Sequence, residues 1–172
     1  MKKSQAAPDV AGGSGWIISG ENLLPKITNL TLFREEFSND PLREAIEALW
    51  TEHPDQALLL LAKLPKSRRQ RALTADCLRD LGQFLEAETI YSELISASTG
   101  PLLEATYRQH LGKVHLCADN YRLALHQFER ALEIRIAAHA PEELLASSRQ
   151  ACAFVISARS TFISTLFPHC SN

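Results

Sequence analysis

Long apolar runs are missing from this chain. The longest, such as Ala-Leu-Leu-Leu-Leu-Ala at 57–62, fall far below the roughly 20 residues that a bilayer-spanning helix needs. Glycine is sparse, and its only cluster, Ala-Gly-Gly-Ser-Gly at 11–15, is followed by no Lys-Ser/Thr pair, which excludes a phosphate loop. The four cysteines, Cys77, Cys117, Cys152 and Cys170, form no Cys-x-x-Cys, no His-Glu-x-x-His is present, and no cysteine–histidine spacing suits zinc. No metal and no cofactor is therefore expected. An excess of charge of either sign is also lacking: 18 Lys and Arg against 20 Asp and Glu leave a formal net charge of −2. Bulk electrostatic attraction to nucleic acid is excluded as the organising feature.

Signs of catalysis are equally thin. Serines cluster in Ser-Ala-Ser-Thr-Gly (96–100) and Ala-Ser-Ser-Arg-Gln (146–150), but neither cluster carries a positioned base or a strained turn. His110, His115 and Cys117 share one helical stretch at spacings of five and two, so their side chains do not converge. His115 reads as a packing residue. The chain is not expected to be an enzyme. The basic start Met1-Lys2-Lys3 is followed by Pro8, Asp9 and the glycine cluster, where a secretory signal would need an unbroken apolar core. A flexible leader and a cytoplasmic location are the expectations.

What the chain does contain is helix-forming composition, rich in Ala, Leu, Glu, Gln and Arg and poor in valine, and an internal repeat. Gly112 and Ala124 stand twelve apart, and the same spacing recurs at Ala75 and Ala87, and again at Ala45 and Ala57. Four residues beyond the second member stand Leu61, Tyr91 and Phe128; seven beyond stand Leu64, Leu94 and Ala131. Small residues at these places let two antiparallel helices approach closely, and the larger residues fill the groove between successive pairs. No pair buries its apolar face alone, so stacking supplies the core.

Punctuation divides the chain accordingly. Asp40-Pro41 and His53-Pro54 open helices, Leu64-Pro65 closes one, and Gly82 and Asp119-Asn120 separate the members of pairs. Helix pairs are predicted near 41–64, 68–96 and 102–138, with a last helix near 142–166. The repeat domain is expected to span 39–167 and the leader 1–38. Within the leader, 21–37 docks over the first pair through Leu30, Leu32, Phe33 and Phe37, and its alternation is too brief for a strand. The last helix carries Phe154, Val155, Ile156, Phe162, Ile163, Leu166 and Phe167. It is expected to cap the stack, with self-association into a homodimer through the same apolar face as the sharper reading.

Leu111-Gly112, Ala124-x3-Phe128, Ala131-Leu132 and the second-helix entries Asn120-Tyr121-x2-Ala124 and Gly82-Gln83-Phe84-x2-Ala87 resemble the tetratricopeptide repeat, a helix pair with a period of about 34 residues. The stretch from Ala131 through Gln150 resembles the longer-linker variant of kinesin light chains. Arg108 and His115 depart from the large aromatics that the family favours. The resemblance covers roughly residues 40–155. It implies an all-α fold: a right-handed superhelical stack of about three antiparallel helix pairs with a C-terminal capping helix.

The resemblance also implies a concave groove lined by the first helix of each pair. Its register places Arg69, Asp76, Arg79, Gln109, Lys113 and Gln150 on that side, with His110 at the margin. The paired lysines and asparagines that grip a C-terminal carboxylate in some co-chaperones are not reproduced, since Ala72, Asp76 and His110 occupy the corresponding positions. The leading expectation is an adaptor that holds a peptide or helix of another protein in this groove. Two alternatives stay open: a chaperone for a secreted or assembling client, and a nucleic-acid-associated accessory protein using the basic segment 63–71. That segment carries Lys63, Lys66, Arg68, Arg69 and Arg71 but no aromatic to stack on bases, and it also reads as a solvated inter-helix loop.

Overall fold

A computed structural model describes residues 8–166, with side chains through residue 158. Among these residues the order is β1 (Val10–Gly13), β2 (Trp16–Ile18), β3 (Pro25–Ile27), α1 (Leu30–Glu36), α2 (Arg43–Trp50), α3 (Pro54–Ala62), α4 (Arg68–Asp80), α5 (Phe84–Ser96), α6 (Pro101–Cys117), α7 (Tyr121–Ala137) and α8 (Glu142–Leu166). Each helix from α2 to α8 packs against the next in sequence. The result is a stack of helix pairs, α2/α3, α4/α5 and α6/α7, closed by α8.

The small residues sit where the spacing placed them. Ala45, Ala57, Ala75, Ala87 and Ala124 are all buried, as is Gly112. Leu61, Tyr91 and Phe128 are fully buried at the four-residue offset. At Gly112 the approach leaves no room for a side chain: a Cβ there would lie 2.5 Å from Cε1 of Phe128.

The turns inside the three pairs repeat in backbone conformation although not in residue type. Glu52, Gly82 and Asp119 each follow a first helix in the left-handed region, at φ 66°, 76° and 56°. After each, the next amide reaches back to the helix: His53 N to Ala48 O, Gln83 N to Leu78 O and Asn120 N to His115 O. This is the bond pattern that ends a helix by satisfying its last carbonyls. Pro54 and Pro101 open α3 and α6 at the first helical positions. Asp40, expected to cap α2 with Pro41 at its first position, stands two residues before the actual N-cap, Leu42. Asp40 accepts from Leu42 N and pairs with Arg69 instead.

The leader requires correction. Residues 10–27 form a three-stranded antiparallel meander in the order β1-β2-β3, with a bulge between Ala11 and Gly13, and part of 21–37 is strand after all. Three strands of three or four residues cannot stand alone in water; they are held by the helices beneath them. Trp16 lies 4.7 Å from Trp50 of α2, and Phe33 and Phe37 pack into the same aromatic group. Of the four docking residues expected here, Phe33 is buried and Phe37 packs against the first pair, while Leu30 and Leu32 stay exposed. On α8, Val155 is buried, Phe154 half-buried and Ile156 exposed. The side chains of Phe162, Ile163 and Leu166, together with Phe167 and Cys170, lie outside the described residues.

Candidate functional site

All seven candidate residues lie on α4, α6 and α8: Asp76 and Arg79 on α4, Gln109, His110 and Lys113 on α6, and Gln150 on α8. The seventh, Arg69, stands in the first turn of α4 and pairs with Asp40 at 2.5 Å, joining the first pair to the second. It takes no part in the cluster that the others form.

That cluster is not an open polar strip. Asp76, Arg79, Gln109, Lys113 and Gln150 are among the most buried polar residues of the protein. Periodicity assigns polar residues to the solvent side, but here they pair with one another and with elements packed above them. Arg79 Nη1 donates to Asp76 at 2.6 Å and its Nε to Asp80 at 2.7 Å. His110 Nδ1 stands 3.1 Å from the same Asp76 oxygen, and its ring stacks on that of Tyr91. Burial pushes the Asp76 carboxyl up, but His110, Arg79 and Lys113 outweigh it and hold it well below the usual carboxylate range. Burial pulls the other way on Arg79, yet Asp76 and Asp80 keep its guanidinium firmly charged. Lys113 is held down to about 8, mainly by burial and the neighbouring Arg79, against the pull of Asp76.

A second network joins α6, α7 and α8. Arg135 Nη1 donates to Ser148 Oγ at 2.7 Å and to Leu144 O at 2.9 Å, and Ser148 Oγ donates to Gln109 Oε1 at 3.0 Å. Gln150 reaches furthest: its Nε2 donates to the main-chain carbonyl of Pro8 at 2.6 Å, while its buried Oε1 has no partner. Sequence reasoning missed Arg135 and Ser148, because a lone arginine on a second helix and one serine among several carry no distinguishing spacing.

A cleft of about 790 Å³ opens between the meander and the ends of the first helices. Ser19, Glu21 and Asn22 form one wall; Trp50, Arg79 and Cys117 belong to the other. The basic segment 63–71 lies away from it. Arg71 pairs with Glu93, Arg68 donates to Thr99, and Ser67 caps α4 by accepting from Gln70 N. Only part of that segment is loop, since Arg68, Arg69 and Arg71 occupy the first turn of α4. Cations are disfavoured there by the helix dipole, and Asp40 and Glu93 offset this for Arg69 and Arg71. His115 is buried, and burial pushes its imidazole below the ordinary range. Among the described residues no group of His, Cys, Asp or Glu could hold a metal ion, and no helix is long and apolar enough to cross a membrane.

Comparison with known families agrees with the geometry. Residues 70–137, from α4 through α7, match the sequence model described as tetratricopeptide repeat. No curated protein and no solved structure matches the chain.

Proposed function

Since residues 70–137 are tetratricopeptide repeat, a module that generally mediates protein–protein interaction, we propose that the chain is an adaptor without catalytic role that holds a segment of a partner protein against its first helices. The observation that supports this reading is the bond from Gln150 Nε2 to the carbonyl of Pro8. A side chain of the expected groove holds a main-chain carbonyl of a separate segment, which is one element of peptide capture.

The test begins with affinity purification of the full chain from its native cell and identification of what is retained. The purified partner is then titrated against the intact chain and against Gln150→Ala and His110→Ala. A drop in affinity of about tenfold or more, with an unchanged circular dichroism spectrum, supports the groove as the site. Equal affinity for all three removes the groove from the reading.

A further inference from the structure

Residues 8–27 pack against α2 and α8 and stand across a cleft from the ends of α4 and α6. Trp16 packs at a tilt against Trp50 of α2, and β3 packs along the same helix. The Ser19–Ile27 stretch faces Arg79 and Asp80 of α4 and Cys117 of α6 across the cleft. Leu23 belongs to an apolar cluster with Ala151 and Val155 of α8 and with Ala124 and Phe128 of α7. β1 packs against α8, where Gln150 holds the Pro8 carbonyl. The meander therefore lies across the face on which the repeat family's groove is expected.

Leu23 is the anchor of this arrangement. It is 1% exposed, yet its φ is +63°, a conformation that branched L residues rarely adopt. The loop that presents it is tightly bonded: Leu23 N donates to Ser19 O, Ser19 N to Leu24 O and Leu24 N to Asn22 Oδ1, all at 2.9 Å. The backbone accepts the unfavourable angle, and the return is burial of one isobutyl group among the helices. A backbone outlier sustained by its surroundings, on a segment too small to fold alone, points to function.

We propose that residues 8–27 are a built-in occupant of the partner site, and that the hole filled by Leu23 is the anchor point for an aliphatic side chain on an extended segment of the partner. The proposal rests on the groove reading above and adds its occupancy and the chemistry of its ligand. An external segment enters only as the meander leaves. Its apparent affinity is reduced by the fraction of molecules in which the face is open, and the tethered copy competes at a high effective concentration.

The test uses the full chain and, as probe, a fluorescently labelled synthetic peptide of residues 8–27. Leu23→Asn in the chain removes the apolar anchor while placing at 23 a residue that tolerates the left-handed conformation. The expected result is that this variant binds the peptide at least about tenfold more tightly than the unaltered chain does, and that a peptide carrying the same substitution binds neither. Equal binding, or none to either chain, overturns the proposal. Hydrogen exchange on the unaltered chain gives a reading independent of the variant. Amides of 10–27 should exchange through an opening that leaves α4–α7 protected, whereas one common rate for both would make the meander a fixed cap and overturn the proposal. Failure of the groove reading itself is seen separately, in the partner's indifference to His110→Ala, a residue that contacts Asp76 and Tyr91 and not the meander.

Discussion

The ring of Phe128 occupies the space in which a side chain at position 112 would begin, with three of its carbons 2.5–3.0 Å from an ideal Cβ on Gly112. The contact joins α6 to α7 at the centre of the third pair. Alanine normally improves a helix by up to about 1 kcal/mol over glycine. Here the added methyl must displace a fully buried ring, and overpacking costs about 1–3 kcal/mol. Gly112→Ala is expected to lower stability in a urea titration followed by circular dichroism. A gain would show that the pair tolerates separation.

The turn positions permit an opposite pair of substitutions. A Cβ at Gly82 would meet nothing within 4 Å, so only its φ of +76° opposes a side chain. Gly82→Ala should cost about 1–2 kcal/mol through the left-handed conformation alone. Glu52 already bears that cost at φ 66°. Glu52→Gly should therefore leave stability unchanged or raise it by up to about 1 kcal/mol, because glycine's extra freedom in the unfolded chain offsets part of the gain. Thermal melts of the two variants should move in different directions.

Breaking the Asp76–Arg79 pair from one side should be severe. Arg79→Met leaves the buried carboxylate of Asp76 with His110 as its remaining close partner. Loss of one member of a buried pair costs about 3–5 kcal/mol. The double substitution Asp76→Leu with Arg79→Met should recover part of that loss, since no charge is then stranded. A double-mutant cycle in urea measures the recovery, and strictly additive losses would show that the two groups do not depend on each other.

Lys113 gives a pH dependence of definite sign. Its folded value of about 8 lies below the ordinary lysine value, so the unfolded chain binds more protons between the two. Stability contributed through this group rises as pH increases from about 8 toward 10.4. The thiols of Cys77 and Cys152, pushed up to about 12 and about 11 by burial, act in the opposite sense across the alkaline range. The contribution is therefore read as a difference. Lys113→Met should be more stable than the unaltered chain at pH 7, and the advantage should shrink by pH 10. A difference that stays constant with pH would place the lysine's charge in water.

The stack was legible because its determinants are local and periodic. Ala75 and Ala87, or Gly112 and Phe128, reveal themselves by spacing, and Pro54 and Pro101 mark helix starts by backbone chemistry alone. The meander was not legible. Its strands are too short for alternation to register, and its pairing depends on Trp50, Gln150 and Val155, remote in sequence. The polar set was named residue by residue, but its environment was misjudged. Periodicity separates polar from apolar faces and cannot tell that Asp76 and Arg79 neutralise each other as a buried pair. Leu23 left no trace, since a leucine in a loop looks like any other until a hole is seen beneath it.

The contact between Trp16 and Trp50 has an optical consequence. These are the only two tryptophans in the chain, one on the meander and one at the end of α2, with ring centroids 4.7 Å apart. Intrinsic emission therefore reports almost entirely on the seam between the leader and the first helix pair and is blind to the second and third. A melt followed by fluorescence and one followed by far-ultraviolet dichroism will coincide only if that seam parts together with the helices. The protein thus carries its own label at the one boundary where displacement by a partner would first be felt.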